Sequence, residues 1–222
     1  METRNITVTL EKAREWYNSG DESLKEVALQ AFNENELAYN FKNIKTFKNA
    51  CDTLNYHFNG ANNTSRYIAT FSRASAAMFK LNIIRKALNL GRDLHLTRDP
   101  KDSYIYYPDN SFIIKESNFY KKEIDSGKIE IIGEIKSEGE EYYVLSGCVD
   151  HSWYEGLGTF LPGAGVGGYG ISSGFLGCAS KEIAQHFGKY FGMLITEAKY
   201  GDMIDFEIIS DHYQKRSCIS TK

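Results

Sequence analysis

Hydrophobic positions in the first ninety residues recur with helical spacing. Leu10 and Ala13 begin an apolar stripe on a helix that Thr9 can cap and Gly20 can end. A second short helix follows Asp21, which has the residue type of a helix N-cap. The pattern therefore predicts an αα-hairpin at the start of the chain.

A longer helical pattern follows this hairpin. Thr46 can open a third helix, and the asparagine-rich run at residues 59–63 is typical of a turn. Apolar side chains then line one stripe from residue 65 to residue 90, and Gly91 is a plausible stop. The sequence predicts one long helix over residues 65–90.

The hydrophobic period changes toward two after Pro100, which favours strands. Turn residues separate four such runs, at residues 104–107, 112–114, 128–136 and 141–145. Ser180 can cap another helix, and residues 203–209 can form a last strand. The tail from Asp211 is polar, so we expect it to be frayed.

These elements predict an α+β protein in two parts. Residues 1–92 form a helical module suited to attachment or interaction, and residues 93–222 form a β-rich module that ends with a helix and a strand. The second module contains a glycine- and aromatic-rich region, residues 146–178, which we interpret as loops.

Charge separates the same two parts. The 222 residues carry a formal net charge of −3, with 26 basic and 29 acidic side chains. Residues 1–100 hold 14 basic and 11 acidic side chains, whereas residues 101–222 hold 12 and 18. Within residues 40–92, nine basic side chains accompany a single acid, Asp52. A nearly neutral total therefore conceals a basic helical part and an acidic β-rich part.

Three cations recur every seven residues in the predicted long helix. Arg66, Arg73 and Lys80 would share one helix face and form a basic interaction face. Such a face can grip phosphates, as in nucleic-acid binding, or dock on an acidic protein surface, including the acidic half of this chain. The simplest alternative is a solvated helix face.

Aromatic side chains among glycines form the other candidate site. Nine of the 19 glycines lie between residues 156 and 177. Four aromatic residues of the same region are Trp153, Tyr154, Phe160 and Tyr169. Aromatic rings supply rigid contact area while glycine and serine permit irregular backbone, so the region predicts a ligand or partner surface. The alternative is that these rings fill the core of the β-rich part.

Motifs of enzymes and metal sites are incomplete. Residues 163–168 read G-x-G-x-x-G, but a poor helix former follows, which argues against a dinucleotide site. Cys148 and His151 have a zinc-like spacing, whereas Cys178 and His186 are eight residues apart. No oriented base accompanies a nucleophile. We therefore predict no catalytic residue, no metal site and no cofactor.

The expected compartment is reducing. The four cysteines are far apart in sequence, so we expect thiols rather than disulfides. No charged start leads into an apolar run, and no window approaches the roughly 20 apolar residues of a membrane span. We expect synthesis in a host cytoplasm without a signal peptide, and no membrane partner.

Three stretches resemble uncharacterised proteins encoded by phages and prophages of gut anaerobes. They are residues 9–18 with 24–32, residues 78–89, and residues 174–192. The resemblance implies a non-enzymatic virion component or accessory adhesin, located in the virion. Its expected partners are other virion or phage proteins, or a host surface ligand, within an oligomer or larger assembly. The alternative is an intracellular phage protein that binds nucleic acid or a host factor through the basic helix.

A second resemblance covers residues 145–178. Leu145-Ser146-Gly147, Gly156-Leu157-Gly158 and Gly174-Phe175-Leu176 resemble the spaced glycine pattern that closes C-type-lectin-like domains of the formylglycine-generating and phage receptor-binding kinds. In that fold, loops between short strands display the ligand contacts. The resemblance implies such a display for residues 153–173.

Overall fold

The computed structural model describes residues 8–90, 105–108, 110–118, 121–127, 129–146, 157–160 and 176–214. The chain divides into two units, Met1–Phe41 and Lys42–Lys222. Helices dominate the first half of the chain, and an antiparallel sheet, a helix and a strand follow. The predicted α+β class is confirmed.

The first unit is a small helical assembly with its own core. Its helices are α1 (Leu10–Tyr17), α2 (Glu22–Ala31) and α3 (Glu34–Leu37). Thr9 caps α1 by accepting from Lys12 N, and Asp21 caps α2, as predicted. The small side chains of Ala13 and Ala28 are fully buried, which lets the helices approach closely.

The second unit begins with three helices, α4 (Phe47–Thr53), α5 (Phe58–Ala69) and α6 (Arg73–Leu88). The prediction of one helix over residues 65–90 is therefore wrong. Ser72 starts a new helix, because its Oγ accepts from Ser75 N at 2.9 Å. The Asp202 carboxylate strengthens this start by accepting from Ser72 Oγ at 2.5 Å and from Ala74 N at 3.1 Å.

The predicted turn at residues 59–63 is also wrong, because those residues lie in α5. His57 caps this helix through Nδ1, which accepts from Gly60 N at 3.2 Å. Asparagine is only a moderately poor helix former, and burial against a neighbouring helix outweighs that preference.

The remaining elements form a sheet, a two-stranded ribbon and two helices: β1 (Ile105–Pro108), β2 (Ser111–Ile114), α7 (Lys121–Asp125), β3 (Glu130–Ser137), β4 (Glu140–Ser146), β5 (Leu157–Phe160), α8 (Lys181–Tyr200) and β6 (Glu207–Asp211). The four-stranded antiparallel sheet has the order β2-β4-β3-β6, and β1 pairs with β5 in the ribbon. The four strands predicted before residue 146 are confirmed. The last strand begins at Glu207 rather than near residue 203.

Helix α8 lies between α6 and the sheet. Phe187, Phe191 and Ile195 are among its buried side chains, and Met193 joins the core that Ile132 and Val144 form on the sheet. On the opposite sheet face, Ile113 and Leu145 pack with Ile124 of α7. The second unit is thus layered, with α6, α8, the sheet and α7 in succession.

Two glycines let α8 lie close to the strands. A Cβ on Gly188 would lie 3.3 Å from Pro108 Cβ, at the end of β1. A Cβ on Gly192 would overlap Ile132 Cδ1 and lie 2.6 Å from Asn110 Nδ2. That amide nitrogen donates to Leu145 O at 3.2 Å, so the space at Gly192 also keeps a buried hydrogen bond intact.

Contacts of α8 also decide where the chain divides. Because α6 packs on α8, helices α4 to α6 belong to the same unit as the sheet. The units therefore meet after Phe41, not at the predicted boundary of residue 92.

The tail after Asp211 is held as far as Gln214, contrary to the prediction that it is frayed. Asp211 Oδ1 accepts from the amides of Tyr213 and Gln214, and Gln214 Nε2 donates to Tyr190 O at 2.9 Å and Lys45 O at 2.7 Å. The later residues of the tail lie outside the described residues.

The close approach at Gly192 generates a stability prediction. We expect Gly192→Ala to lower the free energy of unfolding by about 1–2 kcal/mol, since overpacking of about 1–3 kcal/mol exceeds the roughly 1 kcal/mol that alanine gains in a helix. Urea unfolding measures the change. Gly188→Ala is the matched control and should be near neutral, because its Cβ needs only a small shift of Pro108. Equal losses in both variants would contradict this packing argument.

Candidate binding surfaces

The predicted aromatic surface lies largely outside the described residues, which exclude Trp153, Tyr154 and Tyr169. Phe160 is the last residue of β5, where its backbone pairs with Ile105 of β1. The region that we interpreted as loops therefore contains a strand. Its role in binding stays a prediction.

The described residues that bound this region are fixed to helices and strands. Ser146 ends β4 opposite Glu130 of β3. At the other end, Asn89 Nδ2 donates to Gly177 O at 3.1 Å, and Ala179 N donates to Asn89 Oδ1 at 2.8 Å. Between these ends, β5 is paired with β1 and contacts α8. Residues 146–178 are therefore attached at three places to the frame of the second unit.

The three cations of the predicted basic face do not share a helix. Arg66 lies on α5, whereas Arg73 and Lys80 lie on α6, so the seven-residue spacing between Arg66 and Arg73 crosses a helix break. Lys80 Nζ lies 5.7 Å from the ring centroid of Phe47. Arg66 is exposed on α5. Whether these cations act together stays a prediction.

Arg73 contacts the acidic half of the same chain, which is one of the alternatives that the sequence left open. Its Nη2 lies 3.3 Å from Glu197 Oε1 on α8, and its Nη1 donates to Phe206 O at 3.4 Å. The guanidinium also lies 5.8 Å from the ring centroid of Phe206. Arg73 therefore helps to hold the start of α6 against the end of α8.

A second group of cations surrounds aromatic rings on α8. We call it the Tyr190 cluster; its members are Lys45, His186, Lys189, Tyr190 and Tyr213. Lys45 and Lys189 place their Nζ atoms 5.4 and 5.9 Å from the Tyr190 ring centroid, within cation–π range. The Tyr190 and Tyr213 rings meet edge to face at 5.0 Å. The spacing of His186, Lys189 and Tyr190 puts them on one helix face, but Lys45 and Tyr213 come from distant parts of the chain.

His186 is held in one tautomer. Its Nε2 lies 2.8 Å from Ile44 O, and because a carbonyl oxygen only accepts, Nε2 carries the proton. Burial lowers the pKa of His186, although the bond to Ile44 O raises it; the positive charges of Lys45, Lys189 and Lys42 lower it further. The imidazole is consequently favoured in its neutral form.

Two cysteines of the described residues are buried rather than reactive. Burial raises the pKa of the Cys178 thiol strongly, against a smaller lowering by Arg85, and burial also raises the pKa of the Cys51 thiol. Cys148 and His151, the first pair of the incomplete zinc-like pattern, lie outside the described residues. Within the described ranges, no group of three metal-ligating side chains occurs. None of the helices in those ranges combines the length and apolar composition that a membrane span requires.

No protein-family model, curated protein or solved structure matches the chain. The resemblances to phage proteins and to C-type-lectin-like domains therefore stay predictions. The function must be argued from the residues themselves and from the contacts that the fold gives them.

The contacts of Arg73 generate a stability prediction. We expect Arg73→Gln to lower the free energy of unfolding by about 1 kcal/mol, because the variant loses a partly buried ion pair and weakens a bond to a backbone carbonyl. Arg66→Gln is the matched control, and its effect should stay below about 0.5 kcal/mol. Chemical denaturation of both variants decides the matter. A larger loss in Arg66→Gln would overturn the structural role of Arg73.

The surroundings of His186 generate a pH prediction. Its folded-state pKa lies below the ordinary value of 6.5, so the unfolded state binds more protons in that window. The contribution of His186 to stability is therefore present above pH 6.5 and is lost as pH falls toward the folded-state pKa. An NMR titration should place the midpoint of His186 below 6.5, and Lys45→Gln should raise it. A midpoint at or above 6.5 in the unsubstituted protein would refute this account.

Proposed function

We propose that this chain is a non-enzymatic, phage-associated binding protein, either a virion component or an accessory adhesin. Residues 146–178 supply its partner contacts, through Trp153, Tyr154, Phe160 and Tyr169. The observation that supports this proposal is the attachment of that region to β4, to the β1–β5 ribbon and to Asn89.

Fixed attachment favours binding because a contact segment that is held at its ends loses less conformational entropy when a partner arrives. Rings of tyrosine and tryptophan add large contact area with few rotatable bonds, and their polar atoms keep hydrogen-bonding capacity. The partners of such a surface are other virion or phage proteins or a host surface ligand. No cofactor is required for this role.

A second candidate function is favoured by the cations that remain at the surface. Arg66 and Lys86 are exposed, and neither has a carboxylate partner among the described residues. An intracellular phage protein would use such side chains to bind nucleic acid or an acidic host factor. Arg73 contributes less to this role, because Glu197 already pairs with it.

The proposed function is tested with particles purified from the strain that encodes the chain. Mass spectrometry should detect the chain in the particles, and combined replacement of the four aromatic residues by alanine should abolish its retention there or on host envelopes. Tyr67→Ala with Phe71→Ala is the matched control, because it removes an exposed aromatic pair from α5 and the following turn.

The opposite result is equally specific. A chain absent from both particles and envelopes, with salt-sensitive retention on DNA that Arg66→Glu weakens, would replace the first candidate by the second. Unchanged retention of the four-alanine variant would show that the aromatic residues are not the contact surface.

A further inference from the structure

A groove of about 560 Å³ lies between the beginning of α5 and the middle of α6. One wall is the turn that carries Asn55 and His57, and the other is a stripe of α6 side chains. This volume lies within the range of ligand sites in proteins. The groove consists of residues other than those of the aromatic region, so it constitutes a separate candidate site.

The α6 wall combines apolar and polar chemistry in helical order. Phe79 and Ile83 are four residues apart and give the groove an apolar strip. Asn82 and Lys86, also four residues apart, place an amide and an ammonium beside that strip. The wall can therefore take an apolar side chain and an anionic group at neighbouring points.

The opposite wall adds hydrogen-bond donors. Because His57 Nδ1 accepts from Gly60 N, the neutral imidazole carries its proton on Nε2 and offers it as a donor. The positive end of the α5 dipole lies at the same place. Asn55 has a left-handed backbone with φ of 56°, which asparagine tolerates better than most residues. None of the groove-lining residues is acidic.

Two asparagines distinguish between the classes of anionic partner. Each side-chain amide of Asn55 and Asn82 offers both a donor and an acceptor, which is the pairing that a peptide group requires. Lys86 is the single lysine or arginine that lines the groove, whereas nucleic acids bind through several phosphate contacts at once. The groove is therefore better matched to a peptide than to an oligonucleotide.

We propose that this groove binds an extended acidic peptide segment of a partner protein. An apolar side chain of the peptide packs on Phe79 and Ile83, a carboxylate pairs with Lys86, and the backbone bonds to Asn82. This site gives the protein a second contact point for an assembly, independent of residues 146–178.

The test uses an array of octapeptides with Leu, Phe, Trp or Val at the centre and Asp, Glu, Ser or Gly elsewhere. The full chain should bind acidic members, and a lysine-substituted array should bind none. For the tightest member, fluorescence anisotropy should show weakening of roughly tenfold or more in Lys86→Glu. Asn82→Asp should also weaken binding, because it adds a like charge beside the peptide.

The matched control is Arg66→Glu, which reverses an exposed cation outside the groove and should leave affinity within about twofold. The four-alanine variant of the aromatic region should bind the peptide as the unsubstituted chain does, so the two proposals fail separately. Absence of binding to every acidic member would overturn the proposal. Equal weakening by Arg66→Glu, or tighter binding of an oligothymidine octamer, would overturn it as well.

Discussion

Burial of α8 on two sides is the constraint on which the second unit depends. The helix places Phe187 and Phe191 in the interior and Met193 against the sheet, so it needs apolar residues around most of its circumference. Such a helix can reach the strands only where side chains are absent, and Gly192 provides that absence beside Ile132. Apolar burial of this extent supplies much of the driving force for folding.

Attachment of the aromatic region follows from the same helix. The ribbon of β1 and β5 contacts α8, and the residues just before α8 are bonded to Asn89 at the end of α6. The frame that would hold a contact surface is thus the central packing of the unit, not a separate device. Binding residues that are attached to a rigid scaffold are common, since the scaffold bears the entropic cost.

Tertiary contacts also divide the cations of the helical part by role. Arg73 is paired with Glu197, and Lys45 lies over the Tyr190 ring, so these charges help to join distant segments. Arg66 and Lys86 stay exposed and keep their charge available to a partner. A basic run in the sequence therefore does not make one basic surface. The partner of each cation depends on which helix carries it and what packs beside that helix.

Local signals account for the features that the sequence predicted well. Caps at Thr9, Asp21 and Ser180 and the period-two runs of the first four strands act between residues close in sequence, so they are visible without a fold. The break before α6 escaped prediction because Asp202, which stabilises it, is about 130 residues from Ser72.

The sequence by itself determined the α+β class, most element positions and the uneven distribution of charge, because propensity, period and composition are local quantities. Only the tertiary structure decided where the units divide, which cations are paired, and that Asn55 and His57 face an α6 stripe across a groove. Those outcomes depend on contacts between segments far apart in the chain, and no local pattern encodes such a contact.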